Sequence, residues 1–428
     1  MLVLIYIMKI YCIGIGGIGL SALARYYAHA GNEVYGSDST DSELISSLRN
    51  EGIKVFIGSN SENITEDIDL VIYTIAISDD NAELVKAKEL GIKCLTYPEA
   101  LGLLTKEYTT ISVCGTHGKT TTTAMTYYAL KACGINPTII IGSLLSDGGT
   151  NFIAGDSKYL VVESCEYRRS FLNLNPSHII VTNIDADHLD YYKDIEDIHE
   201  AFQTFSDKLN EEGFLVTHSN VSLNTKAKKI DADCVDRKSI ELSVLGEHNQ
   251  SNAQLVLELL KELGLDEIKI REGLKNFPGT WRRLEYKGKT DNGVIVYDDY
   301  GHHPNEIKAT LEALRSKYPT PDFKLHVFFQ PHLHSRTKAF FEEFTDVLKT
   351  ADFVSLMPIY KARLETDLSV SSEDLKDSII KKGGHAETLS SITDMPSKIM
   401  AITESNTIVL NIGAGDAFAE LNKIPLVK

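Results

Sequence analysis

At 428 residues, 43% apolar and 24% charged, the chain is long enough for two or three packed domains and has the composition of a globular protein. Its formal charge of −17 argues against nucleic acid or an anionic membrane as partner, while a small anionic substrate stays open to local cations and glycine loops. The six cysteines, at 12, 94, 114, 133, 165 and 234, form no C-x-x-C pair, so neither a disulfide framework nor a zinc site is indicated.

The apolar start, Met1 to Met8, has neither the basic flank nor the small-residue cleavage site of a signal peptide, and translation starting at Met8 is an open alternative. No later apolar run reaches the roughly 18 residues of a membrane helix. A cytoplasmic protein is expected.

A first domain is expected over residues 1–106. Strand Lys9 to Ile15 turns through Gly14-Ile-Gly-Gly-Ile-Gly19 into a helix over Leu20 to Ala30. A second strand, Glu33 to Gly36, ends at Ser37-Asp38; a third spans Leu70 to Ala76, and a helix follows over Ala82 to Leu90. Strands alternating with helices predict a doubly wound, mostly parallel α/β sheet. The glycine turn, with Gly16, Gly17, Ile18 and Gly19 at its core, is the phosphate turn of a dinucleotide-type unit, and Asp38 lies where a ribose-binding acid belongs. A bland reading of Asp38 is a cap for a helix starting near Asp41.

The middle domain, 107–279, opens on the stretch that organises the chain. The β-branched run Thr110, Ile111, Val113 reads as a buried strand, broken by Gly115 and Gly118 and followed by a helical pattern over Ala124 to Ala132. Strand, glycine turn and helix N-terminus in that order make an anion site, G-T-H-G-K-T, a shortened phosphate loop for a nucleoside triphosphate. Lys119 would reach the outer phosphates and the Thr120 hydroxyl would ligate Mg²⁺. Strand Tyr159 to Glu163 ends in a carboxylate, and the strand from Ser177 ends in the polar cluster Asp185, Asp187, His188. Ligands collect at the carboxyl ends of parallel strands, so these groups are candidates for a Mg²⁺-nucleotide site. Gly246-Glu-His-Asn-Gln-Ser-Asn252 opens a helix over Ala253 to Leu263, and His248 and Asn249 are candidates to face the base.

The last domain, 280–428, repeats the strand-then-polar-loop layout three times, at Val294 to Pro304, Leu325 to Arg336 and Thr407 to Asp416, with helices over Asn305 to Ser316 and Thr337 to Lys349. Two α/β domains beside a phosphate-loop domain suggest an enzyme that gathers several substrates.

Four motifs, Gly115-Thr-His-Gly-Lys-Thr-Thr-Thr122, Asn183-Ile-Asp-Ala-Asp-His-Leu-Asp190, Asp298-Asp-Tyr-Gly-His-His-Pro304 and Phe329-Gln-Pro-His332, together resemble the Mur ligases of peptidoglycan synthesis, in the family's order and spacing over nearly the whole chain. The resemblance implies three α/β domains (Rossmann-like, central phosphate-loop and Rossmann-like), with ATP and Mg²⁺ as cofactors. It implies amide formation through an acyl phosphate. Within the family, the Gly14 to Gly19 turn and the paired histidines point to the branch using UDP-N-acetylmuramate and L-alanine. Carried over residue by residue, the nucleotide site would comprise Gly115, Thr116, His117, Gly118, Lys119, Thr120, Thr121, His248, Asn249 and Asp299. Metal would fall to Thr120, Glu163 and His188, and catalysis to Lys119, Glu163, His188 and His303. The glycine turn, Asp38, Thr74, Ala76, Ile77, His302, His332 and Arg336 would serve substrates, the first groups on the uridine side. No nucleic-acid or membrane partner is expected, and the chain would be a monomer or weak homodimer.

Three departures stand out. The segment between Gly213 and Gly246 has room for two strands where relatives have more; Cys165 replaces an acid in Glu163-Ser-Cys-Glu-Tyr; and Leu333 replaces an arginine, which puts more work on Arg336. An NAD-dependent oxidoreductase built on Gly14 to Gly19 would leave Lys119, Thr120, Glu163 and His188 without a task, and a non-catalytic nucleotide switch would leave the histidine loops without one.

Overall fold

Glycine and polar breaks cut the β-branched runs into short strands, and in the computed structural model these gather into three mostly parallel sheets. The structure describes residues 7–146, 149–189, 191–361, 365 and 367–427. Met1 to Tyr6, which bear on the choice of start, and Asp190, which closes the second motif, lie outside them. By contact the chain divides into two units, Met1–Ser243 with Gln250–Pro278, and Val244–Asn249 with Gly279–Lys428.

The first unit holds two sheets. One takes β1 (Lys9–Ile13), β2 (Glu33–Asp38), β3 (Lys54–Ile57), β4 (Leu70–Tyr73) and β5 (Lys93–Thr96), all parallel in the order β3-β2-β1-β4-β5. Helices α1 (Ile18–His29), α2 (Glu43–Asn50) and α3 (Ala82–Glu89) lie between these strands, and α4 (Tyr97–Leu104) follows the last. The other takes β6 (Thr109–Cys114), β7 (Thr138–Ile140), β8 (Phe152–Ile153), β9 (Tyr159–Glu163), β10 (His178–Val181), β11 (Phe214–Thr217) and β12 (Lys228–Asp231). Its order is β12-β11-β10-β6-β9-β7-β8, and its β7–β8 pair is antiparallel. Helices α5 (Lys119–Ala132), α6 (Ile195–Ser206), α7 (Glu247–Glu262) and α8 (Glu267–Lys275) accompany it, and the unit boundary crosses α7 after Asn249.

One apolar cluster runs through both of these sheets, from Ile10, Leu23 and Ile72 to Val162, Ile179 and Phe202. Each such fully buried side chain contributes roughly 1.5–3 kcal/mol relative to exposure. Polar groups fix the register between the sheets: the buried Asn151 amide donates to the Ile18 carbonyl and to Ser21 Oγ (2.8 Å), and accepts from Arg25, itself paired with Glu51 at 2.7 Å.

The second unit holds β13 (Glu285–Lys289), β14 (Ile295–Asp299), β15 (Lys324–Phe329), β16 (Phe353–Leu356), β17 (Ala386–Thr388) and β18 (Thr407–Ile412), ordered β13-β14-β18-β15-β16-β17 with β13 antiparallel. Helices α9 (Pro304–Lys317), α10 (His334–Ala339) and α11 (Phe341–Leu348) follow the first two polar loops. Among the described residues no helix is long and apolar enough to cross a membrane.

Several elements differ from the sequence expectation for local reasons. The strand from Leu70 stops at Tyr73 because the Ile77 N–H turns back to the Thr74 carbonyl at 3.1 Å. The helix after the phosphate loop begins at Lys119, directly after the Gly118 N-cap and five residues before the apolar pattern, and Thr123 and Thr126 are accommodated in it by hydroxyl bonds to carbonyls four residues earlier. The single helix expected over Thr337 to Lys349 is broken at Phe340, whose φ of −115° is not helical. Between Gly213 and Gly246 lie the two strands β11 and β12.

Candidate active site

The phosphate loop leaves β6 at Cys114 and is held from one side by the exit of β10. The Asn183 carbonyl accepts the Thr116 N–H (3.0 Å), Asn183 Oδ1 accepts the His117 N–H (2.9 Å), and Thr182 Oγ1 donates to the His117 carbonyl. Thr116 Oγ1 accepts the Asp185 N–H at 2.8 Å. Two glycines are required here. Gly115 has φ +138° and a Cβ built on it would stand 1.9 Å from Thr182 Oγ1; Gly118 has φ +83° and its Cβ would stand 2.8 Å from Asn252 Oδ1. Gly118 is the N-cap of α5, and no side chain caps that helix. Its amides and dipole are left for an anion. Thr120 and Thr121 lie buried in its first turn.

Two glutamates line this loop. Glu163, at the end of β9, accepts the Thr120 hydroxyl (3.0 Å) and the Gly142 N–H (2.8 Å). Glu166, three residues on, is paired with Lys119 Nζ at 2.9 Å; the side chains are 2% and 14% exposed. Lys119 Nζ also donates to the carbonyls of Gly115 (2.6 Å) and Thr116 (3.0 Å). Burial alone would lower the ammonium pKa, but Glu166 first, with Glu163 adding to it, outweighs burial and holds Lys119 protonated above its ordinary range. For Glu166, burial pushes upward, yet Lys119 and His188 win and its carboxyl stays below the usual range.

His188 belongs to this second glutamate. Its Nε2 lies 3.5 Å from Glu166 Oε1, its φ is +55°, and the Tyr167 ring sits against it at 4.8 Å between centroids. Of the expected metal ligands, Thr120 meets Glu163, while His188, expected at a second metal, stands apart from that pair and meets Lys119 through Glu166. His188 follows Asp187 with a left-handed backbone, and its imidazole sits against Glu166. Glu166 is the group that motif reading undervalued. Among the described residues no three His, Cys, Asp or Glu side chains are grouped to hold a metal by themselves. Thr120 with Glu163 supplies the two hard oxygens that Mg²⁺ takes from protein when phosphates and water complete its shell.

In the first sheet, Gly14 (φ +82°) packs on Thr74 and Ile77, and Gly19 packs on the Tyr97 ring, where an added Cβ would meet Cζ at 2.8 Å. The loop after β4, with Thr74, Ala76 and Ile77, thus lies on the glycine turn; the Ala76 N–H points to Thr74 Oγ1 at 3.4 Å. Asp38 Oδ2 accepts the Gly16 N–H at 2.9 Å, so this acid holds the turn directly, and Ser42 caps α2 in its place. Gly17 is the N-cap of α1, again without a side-chain cap, so Ile18 and Gly19 begin that helix with free-facing amides.

In the second unit, Asp298 and Asp299 end β14 with different duties. Asp298 accepts from Arg282 Nε (2.9 Å) and Asn411 Nδ2 (2.7 Å). Arg282, fully buried with φ +55°, lies 4.5 Å from the Phe418 ring and donates to the Gly413 carbonyl. Arg282, the buried partner of Asp298, was not singled out from sequence. Asp299 accepts the N–H groups of Leu284 and Gly301, each at 2.6 Å, and burial raises its carboxyl from 3.8 to about 6. His248 faces Arg283 and Glu306, and burial, followed by the Arg283 charge, lowers it to about 4. Asn249 donates to the Leu245 carbonyl at 2.6 Å, as a cap of its own turn. His303 is also a cap: its Nδ1 accepts the Asn305 N–H (3.2 Å), its ring meets Phe340 at 4.6 Å, and it is 4% exposed. His303, for which the resemblance implies a catalytic role, is thus held in place by the start of α9. His302 lies 3.5 Å from Glu306, while His332 contacts Arg336 at 3.2 Å and stacks on Tyr360 at 5.6 Å. Leu333 takes φ +69°, an unusual conformation for leucine, as it starts α10.

An uncapped glycine loop and a lysine after β6, with two glutamates at the end of β9, define a nucleotide-handling phosphate-loop protein, joined to a second phosphate turn in its first sheet. Comparison gives the class its family. Models described as Mur ligase family, catalytic domain, Mur ligase middle domain and Mur ligase, glutamate ligase domain match residues 9–109, 113–236 and 282–415. The chain belongs to the Mur ligase family. It is 40% identical over 442 residues to the UDP-N-acetylmuramate–L-alanine ligase of Caldicellulosiruptor saccharolyticus, covering 95% of this chain and 96% of that one. To the enzyme of the same name from Clostridium kluyveri it is 41% identical over 443 residues, with 96% of each covered. The solved UDP-N-acetylmuramate–alanine ligase of Thermotoga maritima aligns with TM-score 0.81 and 28% identity over 97% of this chain and 98% of that one.

Proposed function

We propose that this chain joins L-alanine to the lactyl carboxylate of UDP-N-acetylmuramate at the expense of ATP, in peptidoglycan precursor synthesis. The observation that carries the reading is the Thr120–Glu163 and Lys119–Glu166–His188 pairs around the phosphate loop, in a chain 40% identical over its length to curated ligases of that name. The substrate carboxylate would attack the γ-phosphorus in line, ADP leaving, to give an acyl phosphate. The alanine amine would then attack the carbonyl, and inorganic phosphate would leave from a tetrahedral intermediate. Lys119 neutralises charge on the β/γ-phosphates, and the uncapped start of α5 receives the remaining oxygens. Thr120 and Glu163 would hold Mg²⁺, which supplies charge neutralisation at the transferring phosphoryl group. Glu166 keeps Lys119 charged and oriented before nucleotide arrives.

The Gly14 to Gly19 turn with Asp38, Thr74, Ala76 and Ile77 would hold the uridine diphosphate. His302, His332 and Arg336 are the proposed substrate groups of the second unit, and His248, Asn249 and Asp299 its proposed nucleotide side. The protein would work in the cytoplasm as a monomer or weak homodimer, with no nucleic-acid or membrane partner. Hydroxylamine added with ATP and UDP-N-acetylmuramate but no amino acid tests the order of steps. A hydroxamate is expected; its absence during full turnover with alanine would contradict the acyl phosphate.

A further inference from the structure

A relay of three side chains stands beside the phosphate loop at the carboxyl end of the middle sheet. His218 directly follows β11, Asp233 lies two residues beyond β12, and Ser251 is on α7. Ser251 Oγ and His218 Nε2 are 2.7 Å apart, and His218 Nδ1 and Asp233 Oδ1 are 2.8 Å apart. Asp233 also accepts the N–H (3.0 Å) and hydroxyl (2.6 Å) of Ser219. Arg237 lies 3.9 Å away. Those bonds, the Ser219 hydroxyl first, hold its carboxyl down at about 2. A charged carboxylate can only accept, so it fixes the proton on Nδ1, and Nε2 is left to accept the Ser251 hydroxyl.

The same face of α7 continues the attachment. Gln254, three residues on, donates to the Val235 carbonyl, and Glu258 meets Cys234 at 3.5 Å. Ser251 is thus the end of a polar seam nearest the start of the helix. Its neighbour Asn252 is 6% exposed and stands over Gly118, so close that an added Cβ there would meet Oδ1 at 2.8 Å and Nδ2 at 3.1 Å. Where α7 sits decides where that carboxamide sits on the phosphate loop. A hydroxyl-to-imidazole bond backed by a carboxylate fixes both the translation and the rotation of the helix at Ser251, which apolar packing alone does not.

We infer that Ser251, His218 and Asp233 are positioning residues that set Asn252 on Gly118 and thereby tune nucleotide affinity, an inference that rests on the nucleotide reading of the loop. Calorimetric titration of the full chain with ADP plus Mg²⁺, and separately with UDP-N-acetylmuramate, tests it. Ser251→Ala should weaken ADP binding about fivefold, the size of one net hydrogen bond, leave UDP-N-acetylmuramate binding unchanged, and regain ADP affinity in Ser251→Thr. In an Asn252→Ala background the Ser251→Ala change should have no further effect, because the relay acts through Asn252. Asp233→Asn is a second, milder variant expected to act in the same direction. Undiminished ADP affinity in Ser251→Ala, equal loss of both ligands, or full additivity with Asn252→Ala would each overturn the inference. Failure of the wild-type chain to bind ADP would overturn the nucleotide reading itself, and the inference with it.

Discussion

Replacing Glu166 by glutamine leaves a buried lysine without its counter-charge. The Glu166 and Lys119 side chains are 2% and 14% exposed and 2.9 Å apart, so solvent screens the pair little. Removing one member of such a pair costs about 3–5 kcal/mol, and the lower end applies because the amide oxygen still accepts one bond. In the wild type this stabilisation is fully present between the ordinary pKa values of the two groups, 4.5 and 10.5, since the folded glutamate is shifted down and the folded lysine up. It is lost as pH falls through the folded Glu166 value or rises through that of Lys119. With Glu166 neutral, burial becomes the dominant influence on Lys119 and moves its pKa downward. Two outcomes are expected in Glu166→Gln. Denaturant unfolding without ligand should show about 3 kcal/mol less stability, and the alkaline limb of kcat/KM for ATP should move to lower pH. Unchanged stability together with an unmoved alkaline limb would refute the claim that Glu166 maintains the charge on Lys119.

Gly118→Ala should abolish measurable ADP binding while the protein stays folded, since the residue needs φ +83° and its methyl would strike Asn252; ordinary ADP affinity would contradict the loop geometry. Asp38→Ala should weaken UDP-N-acetylmuramate about fivefold by releasing the Gly16 N–H, with ADP binding untouched, as titration with each ligand will show. Asp299, raised from 3.8 to about 6, contributes stability that is present below pH 3.8 and lost as pH rises through 6, worth about 3 kcal/mol at most. Asn at that position should remove this part of the pH slope of unfolding between those values, and a slope identical to wild type would contradict the burial of the carboxyl.

The elements with strong local signals were legible in the chain. The β-branched run before Gly115 and the glycines at 115 and 118 announce strand, turn and helix start, because few backbone paths satisfy that order. Glu163 at a strand end and Thr120 after the lysine likewise follow from topology. Pairings set by single backbone angles were not legible. The turn of His188 toward Glu166 depends on a left-handed residue that histidine adopts only when its surroundings enforce it. Asp38 admits two readings from sequence, ribose acid or helix cap; the cap falls to Ser42, and the bond from Asp38 to the glycine turn is a long-range contact that periodicity does not encode. Arg282 and Asp298 sit 16 positions apart on facing segments, and two adjacent arginines in a charged stretch give no sign of which is buried. The helix expected over Asn305 to Ser316 begins one residue earlier, at Pro304, with His303 as its buried cap.

Phosphate release measured with ATP, Mg²⁺, UDP-N-acetylmuramate and L-alanine, and with each omitted in turn, tests the central claim most directly. Sustained release is expected only with all four present, with an amide product in equal amount, and none in Lys119→Ala. Release that persists without the UDP-sugar or the amino acid, or micromolar NADH binding with no binding of the UDP-sugar, would contradict the ligase account.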